Sequence, residues 1–298
     1  MIQPNSKIGY NGNTNLKKVK TVINLSQEQF DDYVRCSQDV IYFIETYCKV
    51  ISLDGGLVPF KLHDYQKRFI LCMRDNRLVV GMMPRQQGKT TCVAAFILWY
   101  TIFNESKNVA IMANKASAAR EVMDRYQDMY EELPLWIQQG VKVWNKGNIS
   151  LENKSKVFTA ATTRAGIRGK SCNMIYVDEY AIVPNNIAEE FFTAVYPTIS
   201  SGTSTKFVAT STPLGYNHFW KMYTEAERGL NGFIHFRAYY TEHPDRDEAW
   251  ANEQRKALGD VKFSQEVGCV AGETLIIVRD KKTGEVFNMP IEKFYESI

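Results

Sequence analysis

Arg85-Gln86-Gln87-Gly88-Lys89-Thr90-Thr91 follows an apolar run and precedes a strongly helical one. Backbone N–H groups at a helix N-terminus face an anion, a lysine there neutralises β- and γ-phosphates, and the adjoining threonine hydroxyl suits Mg²⁺. The run departs from G-x-x-x-x-G-K-[ST] at Met83, which stands where the first glycine would. Further on, the apolar stretch Met174-Ile175-Tyr176-Val177 runs straight into Asp178-Glu179. An apolar strand that ends in two carboxylates supplies both a metal-holding acid, Asp178, and a base, Glu179, that orients and deprotonates the water attacking a γ-phosphate. The combination points to a nucleoside triphosphatase using ATP and Mg²⁺. A third strand end, Thr210-Ser211-Thr212-Pro213, offers hydroxyls to sense the γ-phosphate. Arg85, Arg164 and Arg168 are candidates for stabilising charge on the transferred phosphoryl group. Tyr65-Gln66 can meet adenine by stacking and amide hydrogen bonds.

These residues need strands that end together and helices that begin there. Apolar runs at 77–83, 108–113, 173–177, 206–210 and 233–239 alternate with helical patterns, notably from Lys89 and from Ser117 to about Glu132. That alternation predicts an α/β fold, a phosphate-loop NTPase with a mostly parallel central sheet flanked by helices. Ligands bind at the carboxyl edge of such sheets. The alternating residues of 142–161 predict a β-hairpin insert. A helical spacing runs from Ser26 through Phe30 and Ile44 until Asp54-Gly55-Gly56 breaks it, and His63 through Met73 predicts a short helix.

The 298 residues, 45% of them hydrophobic, can bury a sizeable core, which excludes a disordered or disulfide-stapled chain. The longest apolar stretch, Cys92 to Phe103, is shorter than the roughly 18 residues a membrane helix requires, and no signal-like segment opens the chain, so a soluble, unexported protein without membrane attachment is expected. Six scattered cysteines suit reduced thiols. The net charge of +3 does not by itself argue for nucleic acid, although Met1 to Gln27 holds four lysines and no acid. Residues 1–25 are expected to be a flexible basic arm.

With these residues assembled, the chain over 30–268 resembles the large terminase subunit of tailed bacteriophages, closest to that of contractile-tailed phages. The resemblance rests on Asp54-Gly55-Gly56, Tyr65-Gln66, the run Arg85 to Thr91, Asn114-Lys115-Ala116-Ser117, Trp144-Asn145-Lys146-Gly147, Arg168-Gly169, Met174 to Glu179, and Thr210 to Pro213 followed by Asn217-His218-Phe219. It implies an ATP-driven motor that moves double-stranded DNA into a procapsid, as a ring on the portal with the small subunit as partner, acting in the host cytoplasm and transiently at the portal. It also implies that Met83 is ordinary at its position, that Arg85 is the catalytic arginine, and that Thr210, Ser211 and Thr212 couple hydrolysis to movement. A nuclease domain with clustered acids, usual in such proteins, is not found in this sequence. A helicase-like ATPase and a nucleotide-gated assembly subunit without turnover are the alternatives.

Residues 269–298 differ in character. Cys269-Val-Ala-Gly-Glu-Thr-Leu-Ile276 resembles the opening block of an intein, and two apolar runs around Asp280-Lys-Lys-Thr-Gly284 predict a hairpin. The resemblance implies an N-terminal split-intein fragment in which Cys269 takes the acyl group of Gly268, with a complementary C-terminal fragment joined to the nuclease half as partner. An ordinary closing hairpin with a buried cysteine, or a truncated reading frame, are the other readings. The expected organisation is therefore a basic arm over 1–25, an ATPase domain over 26–268 and the fragment over 269–298.

Overall fold

The computed structural model describes residues 9–52, 54–163, 167, 169–269, 275–281, 283–290 and 293. Arg164 and Arg168 lie outside these residues. The chain divides into two compact units, Met1–Ala238 and Tyr239–Ile298.

The first unit opens with a hairpin, Gly9–Tyr10 (β1) and Asn13–Lys17 (β2). The arm expected to be flexible over 1–25 is therefore ordered from residue 9 onwards. Leu16 is buried in the main core with Tyr10 packed against it, and Gln138 holds the strand by accepting from the Lys17 N–H at 2.9 Å and donating to the Asn15 carbonyl at 2.8 Å. Backbone hydrogen bonds need no hydrophobic periodicity, so the polar sequence concealed this docking.

Two helices follow, Gln27–Gln38 (α1) and Val40–Tyr47 (α2). The single helical pattern of the sequence is split at Asp39, which takes an extended conformation and caps α2 by accepting from the Tyr42 N–H at 2.9 Å. Next come a second hairpin, Lys49–Ser52 (β3) with Gly56–Pro59 (β4), and then Asp64–Asp75 (α3), Leu78–Met82 (β5), Lys89–Ile102 (α4), Asn108–Ala113 (β6) and Ala116–Glu131 (α5). Where a hairpin insert was expected, three strands form, Val141–Asn145 (β7), Asn148–Leu151 (β8) and Lys156–Ala161 (β9): β7 and β8 make the hairpin, turning at Lys146-Gly147, and β9 continues it into the main sheet beside β6. Met174–Val177 (β10), Asn185–Ser200 (α6), Lys206–Ser211 (β11), His218–Glu227 (α7) and Ile234–Arg237 (β12) complete the unit.

One eight-stranded sheet runs β12-β5-β11-β10-β6-β9-β8-β7, parallel from β12 to β9 and antiparallel over the last two pairs. The α/β fold with a mostly parallel sheet is thus as expected. Strands β5, β6, β10 and β11 are buried on both faces, which is why they read as continuous apolar runs rather than alternating ones. α4 is buried around nearly its whole circumference, packed against α2, α3 and α5, which accounts for the apolar stretch from Cys92. Among the described residues no helix is long and apolar enough to cross a membrane.

The second unit holds Glu248–Leu258 (α8), Asp260–Phe263 (α9), a π-helical turn Ser264–Gly268, and the antiparallel pair Leu275–Arg279 (β13) and Val286–Pro290 (β14). Ala251, Phe263 and Val267 form its small core with Tyr240 and Trp250. It begins at Tyr239, and in it α9 packs on both α8 and the π turn.

Candidate active site

The phosphate loop leaves β5 at Met82 and enters α4 at Lys89, with the Met83 N–H donating to the Ser211 carbonyl at 3.2 Å. Gly88 caps α4 at φ 74, the left-handed conformation that glycine adopts without strain. A Cβ there would stand 2.6 Å from Gln66 Nε2. Gln66 lies that close because its amide braces the loop: Nε2 donates to the Gln87 carbonyl at 3.1 Å, and Oε1 accepts from the His63 N–H at 3.0 Å. The Tyr65 hydroxyl reaches the same carbonyl at 3.3 Å, and its ring stacks on His63. Tyr65, Gln66 and Gln87 are all buried. The pair read from sequence as an adenine contact is therefore engaged in holding the loop. Arg85 and Gln86 lie on the loop's exposed turn, and Thr91 follows Thr90 in the first turn of α4.

The acids come from β10, three strands from the sheet end at β12. Between it and β5 sits β11, so the hydroxyls of β11 lie next to both the loop and the carboxylates. Glu179 is in the left-handed region at φ 48. The two adjacent carboxylates consequently serve different partners. Asp178 accepts from the Thr90 hydroxyl at 3.2 Å, while Glu179 forms an ion pair with buried Lys89 and accepts from the Ser211 hydroxyl at 3.2 Å. Ser211 Oγ in turn accepts from the Ala181 N–H at 3.2 Å. Thr210 Oγ1 lies 3.3 Å from Asp178 Oδ1, and Thr212 is buried at the end of the strand. Asn217 ties the acidic turn to the loop after β11, donating to the Ala181 and Leu214 carbonyls, each at 2.9 Å.

Burial pushes the Asp178 carboxyl above its ordinary value, opposed by the Lys89 charge and by the Tyr176 hydrogen bond. Tyr176 is raised well above the usual phenol value, first by burial and then by the Asp178 charge, and so keeps its proton. The Thr90 hydroxyl and Asp178 form an all-oxygen pair suited to Mg²⁺. Among the described residues no three His, Cys, Asp or Glu side chains converge to hold a metal alone, so water and phosphate oxygens would complete the coordination of a Mg²⁺ held here.

The profile of the terminase large subunit family, T4likevirus-type, N-terminal region, matches residues 80–294. The chain belongs to this family. The large terminase ATPase domain of Thermus phage P74-26 superposes with a TM-score of 0.59 at 21% identity, over 71% of this chain and 94% of that one. The HK97 bacteriophage large terminase gives 0.64 at 17% identity, over 80% of this chain and 56% of that one. A large terminase from a thermophilic bacteriophage, in complex with ATP-gamma-S, gives 0.54 at 13% identity, over 70% and 52%. At these identities the likeness is one of fold. The chain spans just over half the length of the longer terminases.

In this terminase domain the structure brings together Lys89, Thr90, Asp178, Glu179, Thr210 and Ser211. The family match runs on to residue 294, past the limit of 268 read from the motifs. Sequence reasoning missed Tyr176, whose hydroxyl donates to Asp178 at 2.7 Å and lies 2.9 Å from Thr210 Oγ1. The signal was present: a tyrosine in an apolar strand, two residues before an acid, shares that acid's face. His63 and Asn217 were also given no role, since each acts through backbone groups.

Proposed function

We propose that this terminase domain hydrolyses ATP and uses the energy to drive double-stranded DNA into a procapsid. The observation that supports this best is the pair of contacts from consecutive loop residues to consecutive acids, Lys89 to Glu179 and Thr90 to Asp178. The phosphates of ATP bind to the loop N–H groups and to Lys89, which then exchanges its carboxylate partner for phosphate oxygens. That exchange frees Glu179 to orient a water and take its proton as the water oxygen attacks the γ-phosphorus and the bond to the β–γ bridging oxygen breaks, giving ADP and phosphate. Mg²⁺, when bound, neutralises charge on the phosphate oxygens. Ser211 keeps Glu179 pointed at the γ-phosphate, and Arg85 reaches the transferred group from the exposed turn. Thr210, Ser211 and Thr212 relay phosphate loss to the loop that Asn217 fastens. The proposed partners are DNA, the portal, the small subunit and further copies in a ring, in the host cytoplasm and transiently at the portal.

Steady-state hydrolysis and nucleotide binding test this reading together. Lys89→Ala should weaken nucleotide binding, whereas Glu179→Gln should keep nucleotide and lose about 10²- to 10⁴-fold in turnover. Equal loss of binding in both variants sinks the assignment.

A separate proposal concerns Cys269. Its support is a cysteine at φ 44 directly after Gly268, followed by an antiparallel hairpin on which Ile277, Val286 and Phe287 are exposed and open to a complementary fragment. In that reading the Cys269 sulfur attacks the Gly268 carbonyl, the peptide nitrogen leaves and takes the thiol proton, and the acyl group passes to a nucleophile on the partner chain. The family match through residue 294 does not mark a junction at Cys269. Intact-mass spectrometry of this chain mixed with a cognate C-terminal fragment should show ligation, abolished by Cys269→Ala; no ligated species with the wild-type cysteine overturns the proposal.

A further inference from the structure

Asp178 is a carboxylate with unequal oxygens. Among the described residues Oδ1 accepts from the Tyr176 hydroxyl at 2.7 Å and the Glu179 N–H at 3.1 Å, with Thr210 Oγ1 3.3 Å away and its one proton turned to Tyr176, whereas Oδ2 accepts only from Thr90 at 3.2 Å. Two donors fill the two lone pairs of Oδ1. Oδ2 is the oxygen left for a cation, and it faces the hydroxyl of α4 that would share the ion.

Tyr176 is the stronger of the two donors by distance, and it is fully buried on a face of the central sheet. Its single proton goes to Asp178, whose ionised carboxylate can only accept. Its oxygen is then an acceptor for Thr210, 2.9 Å away on the neighbouring strand. A buried phenol between two strands needs such partners, and an apolar residue of the same shape would fill the space without supplying them. Packing therefore does not account for the hydroxyl.

We propose that Tyr176 is a positioning residue, which locks Asp178 with Oδ2 turned to the magnesium of a bound nucleotide and joins that carboxylate to Thr210 on β11. The inference rests on the triphosphatase reading. Groups that hold a metal-binding carboxylate from behind change metal affinity by roughly 10- to 100-fold when removed. Tyr176→Phe keeps the ring and deletes one oxygen, so its effect should fall in that range, on metal dependence rather than on the nucleotide itself.

The experiment is a titration of Mg²⁺ into the full chain with a fluorescent ATP analogue, read by nucleotide fluorescence and begun in chelator. Wild type should bind nucleotide weakly in chelator and more tightly as Mg²⁺ is added. Tyr176→Phe should bind equally in chelator but need about tenfold more Mg²⁺ for half of the gain. Thr210→Val should move the midpoint in the same direction by less, which keeps the test open should Tyr176→Phe fail to fold. With Asp178→Asn in the background, adding Tyr176→Phe should cause no further shift, an outcome a general packing defect would not give. A Mg²⁺ midpoint within twofold of wild type in folded Tyr176→Phe overturns this proposal and leaves the triphosphatase reading standing. Wild-type nucleotide binding that ignores Mg²⁺ altogether overturns both.

Discussion

Gly88 carries two constraints that a single methyl group separates. Its φ of 74 strains any residue with a Cβ by about 1–2 kcal/mol, and the added carbon would meet Gln66 Nε2 at 2.6 Å. Gly88→Ala should therefore lower the melting temperature and also weaken nucleotide binding about tenfold, an affinity change of about 1.4 kcal/mol; adding Gln66→Ala should return part of the stability by removing the clash, and isothermal titration and thermal melts check both. Lys89, Thr90, Asp178 and Glu179 were legible at this scale because their chemistry lies in side-chain type and spacing. Tyr65 and Gln66 were legible as residues of the site but not in their role. Their partner is the carbonyl of Gln87, and no pattern of side chains reveals which backbone group a side chain will meet.

The elements are closed by cations placed far away in the chain. The Lys206 ammonium donates to the carbonyls of Met73, Arg74 and Asn76 at the end of α3, while Arg77 donates to those of Ile199, Gly202 and Thr205 after α6. Each joins a helix end to a neighbouring strand and satisfies carbonyls that the helix cannot. Lys206→Met should cost about 2 kcal/mol, read as a lower urea midpoint. The first residue of α7, His218, packs against Tyr180 and Phe192, and neither ring nitrogen has a hydrogen-bond partner among the described residues. Burial lowers its pKa below 6.5, with Glu189 and Glu225 opposing and Lys221 assisting. The unfolded chain therefore binds the proton more readily, so stability gained above pH 6.5 is lost as the pH falls through that value towards the folded pKa. Wild type should lose more stability than His218→Phe between pH 7 and pH 5, by denaturant melts at each pH. Strands β5, β6, β10 and β11 were plain in the sequence because burial on both faces makes them apolar throughout. The break between α1 and α2 was not, since one capping carboxylate at Asp39 outweighs an otherwise continuous helical spacing, and the hairpin of β3 and β4 was hidden because Ile51 and Leu57 are exposed.

Across the whole molecule the motor reading makes a demand on DNA binding. Contacts must be to phosphates and indifferent to sequence, so affinity should fall by at least roughly tenfold between 50 and 200 mM salt with no preference among duplexes; fluorescence anisotropy checks this, and a sharp sequence preference contradicts it. The order of strands in the main sheet bears on how the molecule is made. β5 pairs with β11 on one side and β12 on the other, both of which lie far later in the chain. While a ribosome is still making α6, the Leu78–Met82 strand has both edges open, and the loop that follows it has no Ser211 carbonyl to hold it. Such edges invite pairing between chains. A chain stopped at Ser200 should therefore pellet as aggregate on sedimentation, whereas one extended through Ala238 should stay in solution: the nucleotide site is among the last parts of the first unit to be finished, and a growing polypeptide acquires its grip on ATP only after the sheet has closed around the strand that was laid down first.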